Sequence, residues 1–288
     1  MNRLAIPDET IQTERLELVL DGKRTEVTRS WISSARGNIL LLHEALGSVS
    51  YWKSFPHDLV HATGYNVIAY SRAGHGNSEG PLSRRTSADY HRQVNEVIPG
   101  ILDFFKVTQP VLYGHSEGVG VALFYAATAQ AAEPGSAYAP GDASMGASAL
   151  ILESPYIIPT DAARYRIQKM KEDYPGSKLQ ERLTHYHQHP NEVFYSWIHW
   201  AADLTDQVFP LRELLPRVSC PVLVLQGEQD EFGGSRQVEA LQESIPHLQY
   251  RSFPHTGHLP HREQSEEVLR TVSAFLSRLQ PKEKVRKP

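Results

Sequence analysis

The amino-acid sequence predicts an α/β fold: a mainly parallel sheet of about eight strands, flanked by helices and carrying a small helical cap. Three observations point there. Short apolar runs alternate with stretches of helical period, the first two strand-like runs meet at Asp21-Gly22, and a helical segment broken by Pro and Gly spans residues 159 to about 208. Length alone permits one large α/β domain or two small ones.

Glu14 to Leu20 and Arg24 to Ile32 read as an antiparallel pair, because Asp-Gly between two alternating runs is a hairpin turn. Further strands are expected at Asn38 to His43, Asn66 to Tyr70, Pro110 to Tyr113, Ala149 to Leu152, Pro221 to Gln226 and Leu248 to Phe253. Helix-like stretches separate most of them, which implies right-handed crossovers, a parallel sheet and chemistry at the C-terminal strand ends. Ser87 to Phe105 carries Tyr90, Val94, Val97, Ile98, Ile101 and Phe105 at helical spacing, with Pro99-Gly100 expected to kink or break it. Thr271 to Leu279 reads as part of a closing helix. Residues 131–148, rich in Ala, Gly, Ser and Pro, predict a surface excursion. The segment 159–208, interrupted at Pro175-Gly176 and Pro190, is placed to cover the strand ends as a cap. The basic residues 281–288 read as a solvated, flexible tail.

Composition narrows the function classes. Hydrophobic residues make up 40% and charged residues 22%, ordinary for a globular protein, and the formal charge of -4 gives no basic surface for nucleic acid. A small molecule is the expected partner. The single cysteine, Cys220, allows no internal disulfide and reads as a buried thiol at a strand entrance. No signal-like start and no run of membrane-spanning length occurs, so a cytoplasmic location away from membranes is the expectation. Oligomeric state is open at this level.

Gly114-His115-Ser116-Glu117-Gly118 follows a short apolar strand and precedes a helix containing Gly120, Ala122 and Ala126. In this the sequence resembles the α/β-hydrolase superfamily, whose serine sits on a strained strand-to-helix turn between close-packing glycines. The resemblance runs from Glu14 to Leu279 apart from the cap and the excursion, and implies one domain over residues 1–288. It implies Ser116 as nucleophile, His258 in Gly257-His258-Leu259-Pro260 as base, and Asp230 after the VLVLQG strand as supporting acid. Glu153, at the end of ALILE, is an alternative acid, while Glu228 and Glu231 are expected to face solvent. The backbone N–H groups of Ala45 and Glu117 would form the oxyanion hole.

Glu44 departs from the superfamily pattern, where glycine is usual, and is a candidate substrate contact. Adjacent strand ends place Arg72 near it, so a structural Glu44–Arg72 ion pair is expected. The plain alternative is a Glu44 side chain in water. Glu117 has an ordinary reading as an acid in a first helical turn. Tyr156, Trp197 and Trp200 are further candidates for lining an apolar pocket, among aromatics that include Tyr165, Tyr174, Phe194 and Tyr195. Packing explains such residues equally well.

His185, His187 and His189 read as solvated cap residues, and His255 and His261 as neighbours of the base, so no metal site is expected. No cofactor is implied. A serine at position 116 argues against the dehalogenase and epoxide hydrolase branches, which use aspartate there. What the resemblance implies first is hydrolysis of a small carboxylic ester or thioester through an acyl-enzyme. C–C bond hydrolysis of a ketone-containing metabolite, and a ligand receptor without turnover, are the competing readings.

Overall fold

Asp21 and Gly22 both lie at positive φ, 50° and 68°, as the tight hairpin turn requires. They join β1 (Gln12–Leu20) to β2 (Lys23–Trp31), with Leu20 opposite Lys23. The computed structural model describes residues 9–80, 86–129, 146–203, 211–232 and 234–279. Most of the 131–148 excursion, the end of the cap and the 281–288 tail fall outside them.

Beyond β2 run β3 (Asn38–Leu42), β4 (Asn66–Tyr70), β5 (Val111–His115), β6 (Ala149–Glu153), β7 (Val222–Gly227) and β8 (Gln249–Phe253). These eight strands form one sheet in the order β1-β2-β4-β3-β5-β6-β7-β8. β2 meets β4 antiparallel, and every pairing from β4 to β8 is parallel. In the five central strands only Asn38 is not fully buried, because helices cover both faces.

Alternation along those strands divides the core. Leu40, Leu42, Leu112 and Leu150 face one layer, packed by α2 (Ser87–Arg92), α3 (Ile98–Phe104), α4 (Glu117–Ala129) and α9 (Gly234–Ser244). Ile39, Leu41, Tyr113 and Ile151 face the other, against α1 (Phe55–Thr63) and α11 (Ser265–Leu279). The expected break at Pro99-Gly100 occurs earlier. α2 runs through a wide π turn, Gln93–Val97, into α3, so Pro99 stands in a first turn where its missing N–H is harmless.

The cap consists of α5 (Asp161–Asp173), α6 (Lys178–Thr184) and α7 (Pro190–Asp203); α8 (Leu211–Leu214) leads back toward β7, and α10 (Pro260–Glu263) precedes α11. A third apolar cluster joins Ile167, Leu183, Val193 and Phe194 of the cap to Ala45 and Leu46, just beyond β3. Within it the Tyr174 and Phe194 rings lie 3.5 Å apart and 3° from parallel. His187 corrects the reading of the cap histidines as solvated. It is buried, accepting the Gly76 N–H at Nδ1 (3.0 Å) and donating from Nε2 to the Leu46 carbonyl (2.9 Å). The cap is thereby fastened to the loops after β3 and β4, while His185 and His189 are exposed. Cys220 is buried as expected, and burial pushes its thiol up to about 11. No helix of the described residues is long and apolar enough to cross a membrane.

Candidate active site

β5 ends in a turn that only glycine permits at two places. A Cβ on Gly114 would lie 2.5 Å from the Gly118 carbonyl oxygen, and one on Gly118 would lie 2.1 Å from that of Leu42. Between them Ser116 takes φ 53°, a left-handed conformation that is costly for serine and persists only where its surroundings enforce it. Here the Ser116 N–H donates to the Glu153 carbonyl (2.9 Å), and the Ser116 carbonyl accepts from the Val119 N–H (3.0 Å).

The loop after β8 carries His258 to this turn, its Nε2 2.9 Å from Ser116 Oγ. Both oxygens of Asp230, from the loop after β7, lie 2.9 Å from Nδ1. The carboxylate fixes the proton on Nδ1 and leaves Nε2 to accept from the serine. Asp230 is held by the Gln226 side-chain amide (2.8 Å) and the Phe232 N–H (2.9 Å). Burial lowers the imidazole's affinity for a proton, but the Asp230 bond and the charges of Asp230, Glu44 and Glu153 outweigh it, so His258 sits above its ordinary value. Burial likewise acts to raise Asp230, and the His258 charge and hydrogen bonds bring it below the usual carboxylate range.

The loop bearing His258 is clamped from both sides. Glu263 accepts the N–H groups of Gly257 (2.8 Å) and Leu259 (3.1 Å), the neighbours of His258. His115 Nε2 donates to the His258 carbonyl (2.8 Å), and burial holds that ring down to about 3, hence neutral. Glu153 is not the partner of His258. Wholly buried, it accepts from His261 Nδ1 (2.9 Å), the His261 N–H (2.7 Å) and the Tyr113 hydroxyl (2.7 Å). Burial opposes its charge, yet His261, His115 and the Tyr113 bond hold it down to about 2. Donor atoms of His115, Glu153 and His261 lie within 4.8 Å of one another, a spacing that could suit a metal ion. The bonds just described already engage both Glu153 oxygens, His261 Nδ1 and His115 Nε2.

The expected Glu44–Arg72 ion pair does not form. Arg72 Nη1 lies 2.8 Å from Glu117 Oε2, and the Tyr90 hydroxyl donates to Glu117 Oε1 (2.9 Å). Glu117 does stand in the first turn of α4, as read from the sequence, and its carboxylate turns inward, where it requires a cation. Burial opposes the Arg72 charge, but Glu117 and Tyr90 hold its affinity for the proton above the ordinary value. The half-buried Glu44 instead accepts the Leu46 N–H at Oε2 (2.8 Å) and so caps its own turn.

Ser116 and His258 open into a mainly apolar cavity of about 370 Å³ beneath the cap, which Glu44, Ala45, Glu117, Tyr156, Trp197 and Trp200 all help to line. The other aromatics divide: Tyr174 is also in the wall, Phe194 packs inside the cap, and Tyr165 and Tyr195 are exposed. Glu231 is exposed as expected and pairs with Arg166 of α5 at 2.7 Å, tying the loop of Asp230 to the cap; the exposed Glu228 accepts from Ser252 Oγ (2.6 Å). Sequence reasoning missed the Arg72–Glu117–Tyr90 and Glu153–His261–Tyr113 groupings. Their only sequence signal is charge at strand ends expected to be buried.

Comparison with curated protein sequences gives no match. Solved structures share the architecture at low identity. A hydrolase from Pseudomonas aeruginosa is 20% identical with TM-score 0.70, over 91% of this chain and 98% of that one. An enol-lactonase from Burkholderia xenovorans is 17% identical with TM-score 0.67, over 91% and 100%. A carboxylesterase from Bacillus subtilis is 18% identical with TM-score 0.66, over 92% of each. The model of the Alpha/beta hydrolase family matches residues 39–271, from β3 into α11. With that span, this sheet order and the serine turn at the end of β5, the chain belongs to the alpha/beta hydrolase family.

Proposed function

We propose that this protein is a serine hydrolase that cleaves a small-molecule carboxylic ester or thioester through an acyl-enzyme. The observation that carries the proposal is the continuous row Ser116–His258–Asp230, with 2.9 Å at each link, opening into the cavity under the cap. His258 Nε2 takes the Ser116 proton as Oγ attacks the carbonyl, and Asp230 stabilises the imidazolium. The N–H groups of Ala45 and Glu117 receive the developing oxyanion. Collapse of the tetrahedral intermediate passes the proton from His258 to the leaving group, and water then resolves the acyl-enzyme by the same steps. No cofactor enters this sequence.

Tyr156, Trp197 and Trp200 hold the apolar part of the substrate, and Glu44 meets it near the reacting carbonyl. The mainly apolar wall suits an uncharged acyl or aryl group in a soluble metabolite. An enol-lactonase and a carboxylesterase among the similar structures lean toward ester cleavage. Incubation with a fluorophosphonate, then assay on p-nitrophenyl esters and acyl thioesters, tests the proposal. Labelling and turnover in the wild type, both lost in Ser116→Ala, is the expected result. A folded wild type that neither labels nor turns over would refute it.

A further inference from the structure

The carbonyl of Glu44 is unusually well supplied with donors. It accepts from the Gly47 N–H (3.0 Å), from His43 Nδ1 (2.7 Å) and from Arg72 Nη2 (2.8 Å). The His43 tautomer is fixed by its other nitrogen, because Nε2 accepts the Arg72 N–H (3.0 Å) and the proton must therefore reside on Nδ1. Three donors, one of them charged, exceed the two lone pairs of a carbonyl oxygen. This is the carbonyl of the peptide unit whose N–H belongs to Ala45. In a trans peptide the two groups point in opposite directions, so anchoring the oxygen sets the direction of the Ala45 N–H.

The same guanidinium grips the other side of the site. Arg72 Nη1 binds the carboxylate of Glu117 at 2.8 Å, and the Glu117 backbone N–H opens α4 directly after Ser116. The registers of β3 with β4 and of β3 with β5 bring these points together. Leu41 stands opposite Ala69, and Leu42 opposite Gly114, so the loop after β4 that carries Arg72 and the start of α4 flank the loop of Glu44 and Ala45, and Ala45 and Glu117 line one cavity.

We infer that Arg72 is a positioning residue for the oxyanion hole, fixing and polarising the Glu44–Ala45 peptide through Nη2 while holding Glu117 at the helix start through Nη1. A hydrogen bond to a peptide carbonyl strengthens the N–H of the same unit as a donor. The gain appears only when negative charge develops on the substrate oxygen. Arg72 therefore acts on the transition state and not on substrate binding. The inference rests on the serine-hydrolase reading given above.

Two variants of the full chain test it. Arg72→Lys keeps a positive charge beside Glu117 but lacks the planar fork that serves two acceptors with fixed geometry. Arg72→Met combined with Glu117→Gln removes the guanidinium without leaving a buried carboxylate unpaired. The measurements are kcat and KM on a p-nitrophenyl ester and the affinities for an alkyl trifluoromethyl ketone and the matching methyl ketone. Serine addition to the fluorinated ketone gives a hemiketal oxyanion, whereas the methyl ketone reports ground-state binding. Both variants are expected to lose about tenfold in kcat and in affinity for the fluorinated ketone, less than the ~10²–10³-fold of deleting a donor outright, with KM and methyl-ketone affinity little changed. Equal loss for both ketones, or unchanged kcat, would overturn the role of Arg72 while wild-type labelling by fluorophosphonate leaves the serine reading standing. A wild type that fails to label and turn over removes that reading and this inference together.

Discussion

Gly118→Ala probes the closest backbone approach at the serine turn. The added methyl group would stand 2.1 Å from the Leu42 carbonyl oxygen, and 3.0 Å is the limit that real Cβ contacts respect, so α4 must withdraw from β3 by about 0.9 Å. That displacement separates Ser116 from the loop bearing Ala45. Misplacement by about 1 Å typically lowers a catalysed rate by ~10²-fold, and overpacking of this kind destabilises by ~1–3 kcal/mol. The variant should therefore hydrolyse p-nitrophenyl acetate ~10²-fold more slowly, label slowly with fluorophosphonate, and melt several degrees lower while remaining folded. Gly146→Ala serves as the control, since nothing lies within 4 Å of its added Cβ. Wild-type turnover and melting in Gly118→Ala would refute the claim that this contact determines where the serine stands.

Two further outcomes follow from the charged groups around the base. On the proposed mechanism His258 must be neutral to accept the serine proton, and the Asp230 bond and the charges of Asp230 and Glu44 outweigh burial to hold its proton above the ordinary 6.5. The rising limb of kcat/KM against pH should accordingly have its midpoint above 6.5 in the wild type and move to lower pH in Glu44→Gln; an unmoved or raised midpoint would contradict the charge coupling. Acid stability tests the buried groups behind the base. His115, held to about 3, stays neutral in the fold while the unfolded chain takes up a proton below 6.5, so stability should fall across that interval at up to about 1.4 kcal/mol per pH unit. Glu153, held to about 2, adds a second loss as pH drops below 4.5. Urea unfolding between pH 7 and 3 measures both, and a flat profile would count against them; Glu153→Gln should itself destabilise by ~1.5–3 kcal/mol, because it removes the charge from a set of buried hydrogen bonds.

The strands were legible because their burial is simple. Runs such as ILLL, VIAY and LILE are covered on both faces, so their apolar character survives in the sequence without tertiary help. The candidate triad was legible for a related reason: Ser116, Asp230 and His258 each follow a strand of one sheet, and neighbouring parallel strands deliver their C-terminal ends to one edge. What spacing does not encode is the direction of a side chain after the strand ends. Arg72 was correctly placed beside residue 44, but it reaches the Glu44 carbonyl and gives its charge to Glu117. His187 was misread because its partners, Gly76 and Leu46, lie more than a hundred residues away in the chain. The π turn at Gln93–Val97 carries the same apolar spacing as an ordinary helix and leaves no distinct trace.

On the proposed mechanism, the glutamate at position 44 bears on both partners of the reaction in opposite senses. Its charge favours a protonated His258, the state reached as the serine attacks, yet it opposes the oxyanion that forms at the same moment. Arg72 does not cancel it, because the guanidinium is paired with Glu117. Glu44 accepts the Leu46 N–H on its own loop and remains half-buried, so solvent screens its charge at longer range, whereas its carbonyl is held by three donors and orients the next peptide directly. The close packing that glycine would otherwise serve here falls on Gly47, where a Cβ would meet His43 at 2.9 Å. On the proposed mechanism the Glu44 carboxylate therefore acts on His258 through its charge, while the Glu44 carbonyl acts on the Ala45 peptide through the bond from Arg72.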